Sequence, residues 1–395
     1  MSKSDFTRKY AIVGYGETKV GHLPEYSGRT LQTEAARLAI EDAGLRREDI
    51  DGAVNAKGEG GGGGTGNWTD GFPRVLGLPV KFYYHVGRGG AQASYGLHTA
   101  LSYLDAGVAN YVCVAGARAD WQKSHVPARM KSEPGRSGIW GKELGDAAAY
   151  THHSLFATRH MHEYGTTSPQ LGAIAVAERA WACLNPAAYM HGRPITVEDH
   201  QNSPIVCWPY HIMDICLQSD GGAAFIVTTA ERAKDCKKPP AYLLGIGTGE
   251  HIDHLWWEKG HYTALPVDTA KEAAFGQAGI GVDDVDVFEF YDCFTMEVLL
   301  QCEGYGFCKK GEGGPFVATG ALGPGGSRPT NTGGGLLASH HIGDFTPMIE
   351  AVRQIRGEGG ARQVKDAKIA IATGHGGELL YPGMCSTHTC TILGK

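Results

Sequence analysis

The sequence predicts an α/β fold made of two similar halves, and three observations carry that expectation. Short apolar stretches of strand character alternate with stretches of helical period, the pattern of α/β units around mostly parallel sheets. The order of these stretches recurs once along the 395 residues, with an offset of 235 between Gly44 and Gly279. Glycine is abundant, at 58 residues, yet scattered through ordered-looking segments, which points to tight turns and close backbone approaches.

The elements follow in order. Tyr10–Gly16 reads as a strand. Glu34–Leu45 places apolar side chains at helical spacing and stops at Gly44, a residue suited to the left-handed position past a helix end. A polar turn, 46–51, leads to the short strand Gly52–Ala56. Gly89 and Gly90 open a helix running through Ala106, and a buried strand follows at Tyr111–Gly116. The second half repeats this grammar with the strand Ala241–Gly247, the helix Thr269–Gly279, the turn 283–286 and the strand Val287–Tyr291. Gly334 and Gly335 then open Leu336–Ser339, followed by a helix near Thr346–Ile355 and a strand at Ala367–Gly374. Ala43-Gly44 matches Ala278-Gly279, and Asp49-Ile50-Asp51 matches Asp284-Val285-Asp286. The halves are expected at 1–235 and 236–395, with a segment of different character at about 117–210.

Charge is close to balance, with 36 Lys and Arg against 42 Asp and Glu, so no basic surface is available to a nucleic-acid backbone. Apolar runs such as Tyr111–Ala115 and Ala223–Val227 are far shorter than a bilayer span. The N-terminus is charged and has no apolar signal region, and ten cysteines contain no C-x-x-C pair. These features lead to the expectation of a cytoplasmic protein with free thiols. His160–His162 and His251–His254 lack a convincing third ligand in sequence, so no metal site is expected. The glycine run 58–64 lacks the Lys-Ser/Thr ending of a phosphate loop and reads as a substrate-facing or dimer loop.

Several motifs together carry a resemblance. Ala11-Ile-Val-Gly-Tyr-Gly-Glu-Thr, Ser219-Asp-Gly-Gly-Ala-Ala, Tyr291-Asp-Cys-Phe-Thr and Asn331-Thr-Gly-Gly-Gly-Leu-Leu-Ala-Ser-His-His resemble the thiolase superfamily, most nearly its sterol-carrier-protein-x and lipid-transfer-type thiolase and aldolase branch. The resemblance covers nearly the whole chain and implies a thiolase fold of alternating α-β-α-β-α layers, with 117–210 as the inserted loop domain. It further implies dimerisation, through the strand near 82–86, and carbon–carbon bond chemistry on acyl-CoA thioesters. Coenzyme A would enter as part of substrate or product, with no cofactor held permanently. Relatives of this branch often work with a small zinc-ribbon and OB-fold subunit, which makes such a partner an expectation here.

Departures from the family pattern concern the reacting groups. The resemblance puts Gly90 where thiolases carry their nucleophilic cysteine at a helix N-terminus. Ser94 lies about one turn further on, with nothing beside it in sequence to activate a hydroxyl. Gly89 and Gly90 would still offer backbone N–H groups to a thioester oxygen. On that reading Gly90→Pro abolishes activity, whereas Gly90→Ala is milder unless φ is positive. The resemblance gives His341 the place of a histidine that stabilises an enolate oxygen, but His340 beside it leaves the choice open. Tyr291 stands where relatives hold a water or a substrate oxygen, and a phenol can donate to an alkoxide or take a β-hydroxyl proton. Asp292 orders that loop or binds substrate, and Cys293 is a buried small side chain or an unusual nucleophile. His375, in Thr373-Gly-His-Gly-Gly-Glu, replaces the acid/base cysteine of standard thiolases, flanked by Gly376 and Gly377, and an imidazole titrates near neutral pH. Asn331 and Gly334 complete the expected substrate-binding set, and Cys385 is a further thiol near the site in sequence.

Three function classes follow. Loss of the cysteine favours a lyase that breaks or makes a carbon–carbon bond beside a CoA thioester by (retro-)aldol chemistry. A thiolytic acyltransferase using a relocated thiol such as Cys293 or Cys385 is the alternative. A non-catalytic acyl-CoA-binding scaffold is the third. A steroid side chain, an aromatic β-keto acid and a branched chain all remain open as the acyl group.

Overall fold

The structure is a computed structural model that describes residues 6–56, 71–119, 149–251, 263–376 and 386–395. Gly377, Cys385, His254 and the glycine run 58–64 lie outside the described residues.

The strands are β1 (Tyr10–Glu17), β2 (Gly52–Ala56), β3 (Phe82–Val86), β4 (Tyr111–Arg118), β5 (Ile205–Cys207), β6 (Tyr210–His211), β7 (Gly221–Thr229), β8 (Ala241–Glu250), β9 (Val287–Glu289), β10 (Ile369–Gly376) and β11 (Thr387–Gly394). The helices that matter to the site are α1 (Gly28–Ala43), α2 (Gln92–Asp105), α3 (Ala149–Tyr164), α4 (Ser168–Cys183), α5 (Val267–Ala278), α6 (Thr295–Tyr305) and α7 (Phe345–Arg356).

Nine strands share the order β3-β2-β4-β7-β1-β8-β11-β10-β9. Around β1, antiparallel pairs run to β7 and then β4, and a parallel pair runs to β2. Around β8 the same pairing recurs, antiparallel to β11 and then β10, and parallel to β9. Only Ala11–Tyr242 and Ile12–Ala241 link β1 to β8, so two like-ordered sets of strands join at a narrow seam. β3 sits at the outer edge with Tyr84 half exposed.

Three cores give the layers. α1 packs on the outer face of the first set, where Ala35, Ala39 and Ala43 meet Val13, Ala224 and Ile226. α2 and α7 share the middle layer, with Leu97, Leu101, Phe345, Ile349 and Val352 against both sets of strands. α5 and α6 cover the outer face of the second set through Ala270, Ala274, Met296 and Leu299. Alternating helix and sheet layers result, each apolar face buried against the next.

The repeated glycines have a packing cause. A Cβ on Gly14 would lie 2.3 Å from the Ala39 carbonyl oxygen, and one on Gly245 would lie 2.0 Å from that of Ala274. In both halves a bare strand residue lets an alanine-faced helix approach at backbone contact. Ser27 caps α1 through its hydroxyl, 3.1 Å from Thr30 N, and Gly44 ends it at φ 71°.

Candidate active site

Four segments converge under the middle layer. β9 ends at Glu289, earlier than the expected Tyr291, and the chain turns through Phe290–Phe294 into α6. This turn carries Tyr291, Asp292 and Cys293. Its shape is fixed by Asn331, whose Oδ1 accepts from Phe290 N at 2.7 Å, and by Thr373, whose hydroxyl accepts from Tyr291 N at 2.9 Å. The tip of β10 brings His375, and the segment after Ser339 brings His340 and His341.

Tyr291 is the hub. Its hydroxyl lies 3.1 Å from His341 Nε2, and its ring meets the His375 ring edge-on at 4.6 Å between centroids. Arg118, at the end of β4, also reaches the His341 ring, with Nη1 2.6 Å from Nδ1 and 2.8 Å from Nε2. A guanidinium can only donate. Both ring nitrogens lie within reach of that donor; assigning the lone pair to the nearer Nδ1 leaves the Nε2–H for the phenolic oxygen. Burial, reinforced by the Arg118 charge, holds the His341 imidazole well below the ordinary pKa, so it is neutral at pH 7. Cys216 Sγ also reaches Nδ1, at 3.3 Å, and burial pushes that thiol up to about 12.

His375 is 1% exposed and likewise held neutral by burial. Its Nε2 lies 3.2 Å from Cys293 Sγ, while its Nδ1 has no hydrogen-bond partner among the described residues.

Gly90 explains the missing cysteine. A Cβ built there would lie 2.1 Å from Cζ and 2.2 Å from the hydroxyl oxygen of Tyr291, and 2.5 Å from the His375 carbonyl oxygen. The phenol of Tyr291 fills the space that a thiol at 90 would need. The expectation that Gly90→Ala is mild is therefore overturned by crowding, even though the positive φ belongs to Gly89 (54°). Gly376 closes against the same turn, its Cβ position 3.0 Å from Gly90 N.

Four residues expected at the site take other places. Asp292 is fully buried and accepts from Leu336 N at 2.7 Å and Leu337 N at 3.0 Å, so it holds the 335–339 turn and does not face a substrate. Asn331 is equally buried, its amide donating to Glu178 at 2.9 Å, and Gly334 packs on Ala182 of α4, which makes both of them scaffold. His340 turns away from Tyr291, bonding Ser339 Oγ at 2.9 Å and Glu17 at 3.0 Å. Ser94 is buried too, its hydroxyl donating to Asp344 at 2.7 Å.

Sequence reasoning missed Asp344, Arg118 and Cys216. Asp344 accepts from Ala93 N at 2.7 Å and Ser94 N at 2.8 Å, taking two amides at the start of α2. Burial raises the Asp344 carboxyl to about 6 against these hydrogen bonds.

Comparison with known proteins fits this geometry. The thiolase C-terminal domain-like family matches residues 249–395. A "steroid side-chain-cleaving aldolase" of Thermomonospora curvata is 35% identical over 364 residues, covering 88% of this chain and 90% of that protein. The chain belongs to the thiolase superfamily. A "17-hydroxy-3-oxo-4-pregnene-20-carboxyl-CoA lyase" of Mycobacterium tuberculosis is 33% identical over 360 residues, covering 88% of this superfamily member and 91% of the lyase. Among solved structures, an "Ltp2-ChsH2(DUF35) aldolase" superposes with a TM-score of 0.85 at 32% identity, covering 98% of each chain. Among the described residues no helix is long and apolar enough to cross a membrane.

Proposed function

We propose that this thiolase-superfamily enzyme cleaves, or in reverse forms, a carbon–carbon bond in a bulky β-hydroxyacyl-CoA by cysteine-independent (retro-)aldol chemistry. The carrying observation is the reciprocal pair Gly90 and Tyr291, in which a phenol occupies the nucleophile's place. In cleavage, Tyr291 takes the β-hydroxyl proton, the β-carbon becomes a carbonyl, and the Cα–Cβ electron pair moves into the thioester as an enolate. A proton returned to Cα releases the shortened acyl-CoA and a ketone or aldehyde. The Nε2–H of His341 supports the phenolate before reaction and serves the enolate oxygen during it, and the proton that Tyr291 has taken passes to Cα through the neutral His375 imidazole, which accepts at one nitrogen as it donates from the other, so that Tyr291 returns to the phenolate. Such acid/base steps contribute about 10² to 10⁴ each. The amides of Gly89 and Gly90 are the candidate donors to the thioester oxygen. Coenzyme A enters only as part of substrate and product.

The named lyase and aldolase relatives support a steroid-sized acyl group. We extend the reading to two halves, 1–235 and 236–395, on the strength of the mirrored strand order, with a homodimer contact along β3. A small zinc-ribbon and OB-fold partner subunit is supported by the two-component make-up of the "Ltp2-ChsH2(DUF35) aldolase". One observation favours thiolysis instead: the 3.2 Å pairing of Cys293 with His375 would suit a relocated nucleophile. Turnover of a 17-hydroxysteroid 20-carboxyl-CoA in buffer free of coenzyme A separates them. Equal amounts of ketone and shortened acyl-CoA support the aldol reading, and an absolute need for added coenzyme A selects thiolysis.

A further inference from the structure

His153, Cys293 and Glu297 bring three metal-ligating atoms within 4.8 Å of one another, all of them buried. They come from two rigid elements. His153 stands on α3, while Cys293 lies in the turn before α6 and Glu297 in the first turn of that helix. His153 Nδ1 already contacts Glu297 Oε1, and Cys293 Sγ carries His375 Nε2 at 3.2 Å on its other side. A tetrahedral ion with about 2.0–2.3 Å bonds needs ligand atoms roughly 3.3–3.5 Å apart. Side-chain shifts of about 1 Å would bring the three into that range, and His375 Nε2, 3.2 Å from Cys293 Sγ, lies close to it on the thiol side.

The donor types restrict the ion. Thiolate, imidazole and carboxylate together select a borderline-soft dication of the zinc class over magnesium or calcium. Cys293 as thiolate and Glu297 as carboxylate cancel a double positive charge, so the occupied cluster is neutral where it is fully enclosed. Spacing along the chain hid this set, because His153 lies 144 residues from Glu297.

We propose that His153, Cys293 and Glu297, with His375 as the fourth ligand, form a reversible zinc-class site, and that its occupation stops turnover by tying up His375. Coordination stands on the ligand geometry alone. Only the inhibitory consequence rests on the proposed reaction. Metal binding requires loss of the Cys293 proton to solvent, and no redox change is involved.

Cobalt(II) chloride titrated into chelator-treated full-length protein reads the coordination without reference to activity. One cobalt per chain is expected, with an intense thiolate-to-cobalt charge-transfer band in the near ultraviolet that zinc chloride abolishes. Cys293→Ser should remove the band, His153→Gln and Glu297→Gln should each weaken uptake by about tenfold or more, and Cys308→Ser should leave it intact. A folded wild-type protein without the stoichiometric band, or a band that survives Cys293→Ser, overturns the site. Should Cys293→Ser fail to fold, alkylation of Cys293 by N-ethylmaleimide in the wild type, mapped by peptide mass spectrometry, decides the matter. Zinc protection is expected, and unchanged labelling refutes it. In a turnover assay zinc should inhibit and EDTA should restore the rate. Metal uptake with full activity would remove the inhibitory role and leave the site.

Discussion

Gly90→Ala adds one methyl group and probes the arrangement on which the chemistry rests. The new Cβ would lie 2.1 Å from Tyr291 Cζ and 2.5 Å from the His375 carbonyl oxygen. Ordinary carbon–carbon contact begins at about 3.5 Å, so the phenol must retreat by more than about 1 Å or the β10 backbone must move. Backbone on one side and the buried Phe290 and Phe294 beside the tyrosine leave little room. Overpacking of this kind costs about 1–3 kcal/mol in stability, and a displacement of about 1 Å at a reacting group costs about 10² in rate. The assay is kcat and KM on a bulky β-hydroxyacyl-CoA, with a thermal melt to confirm folding. The expected outcome is a folded enzyme with kcat about 10²-fold down and KM little changed. On a Tyr291→Ala background the overlap with the phenol is gone and only the His375 carbonyl oxygen, at 2.5 Å, still opposes the methyl group, so Gly90→Ala should add less loss than it causes alone, a departure from additivity. Near-full kcat in the single variant would refute the claim that Tyr291 must occupy that space.

Other outcomes follow from the same geometry. Tyr291→Phe keeps the ring and removes the group that acts on the β-oxygen, so kcat should fall by about 10² to 10⁴ in steady-state assays with the melt unchanged. His341→Gln should lose about 10² in kcat, whereas His340→Gln, cut off from Glu17, should lower the melting temperature with kcat within a few-fold; steady-state kinetics and melts together check the division. Acid should destabilise the fold in a defined direction. His388 is fully buried with its pKa lowered by burial to about 3, and His341 and His375 shift the same way. Above the ordinary value of about 6.5 neither folded nor unfolded chain is protonated there; below it only the unfolded chain binds protons, so stability falls toward pH 3 by about 5 kcal/mol for His388 alone. Asp344, raised to about 6, acts oppositely, gaining stability as pH falls through 6 toward 4, and burial raises the Glu178, Glu289 and Asp292 carboxyls in the same direction, so the imidazole share is read from a His388→Asn variant. Between pH 7.5 and 5.0 the urea midpoint of His388→Asn should lose less, or gain more, than that of the wild type, and parallel curves would refute the His388 contribution.

Much of the fold was legible because its signals are local. Gly44 and Gly279 end helices in both halves, at φ 71° and 69°, as their sequence context suggests. Tyr291, His341 and His375 each follow a strand or a glycine turn, and the structure brings both histidines into contact with Tyr291. What the sequence hid depends on partners far apart in the chain. Nothing near residue 340 says which histidine faces the tyrosine; Glu17, 323 residues away, draws His340 aside. Asp344 reaches α2 across 250 residues, and Arg118 meets His341 across 223. Asp292 and Asn331 looked like substrate ligands because they are polar and sit in family motifs. In the fold they satisfy buried backbone groups that would otherwise be orphaned.

The central claim is that no cysteine carries the acyl group during turnover. Intact-protein mass spectrometry of enzyme quenched in the steady state, at saturating acyl-CoA, tests it most directly. An unmodified mass of the whole chain while ketone accumulates is the predicted result. A population heavier by the acyl mass, mapped to Cys293, Cys216 or any other thiol and chased away by free coenzyme A, would contradict it.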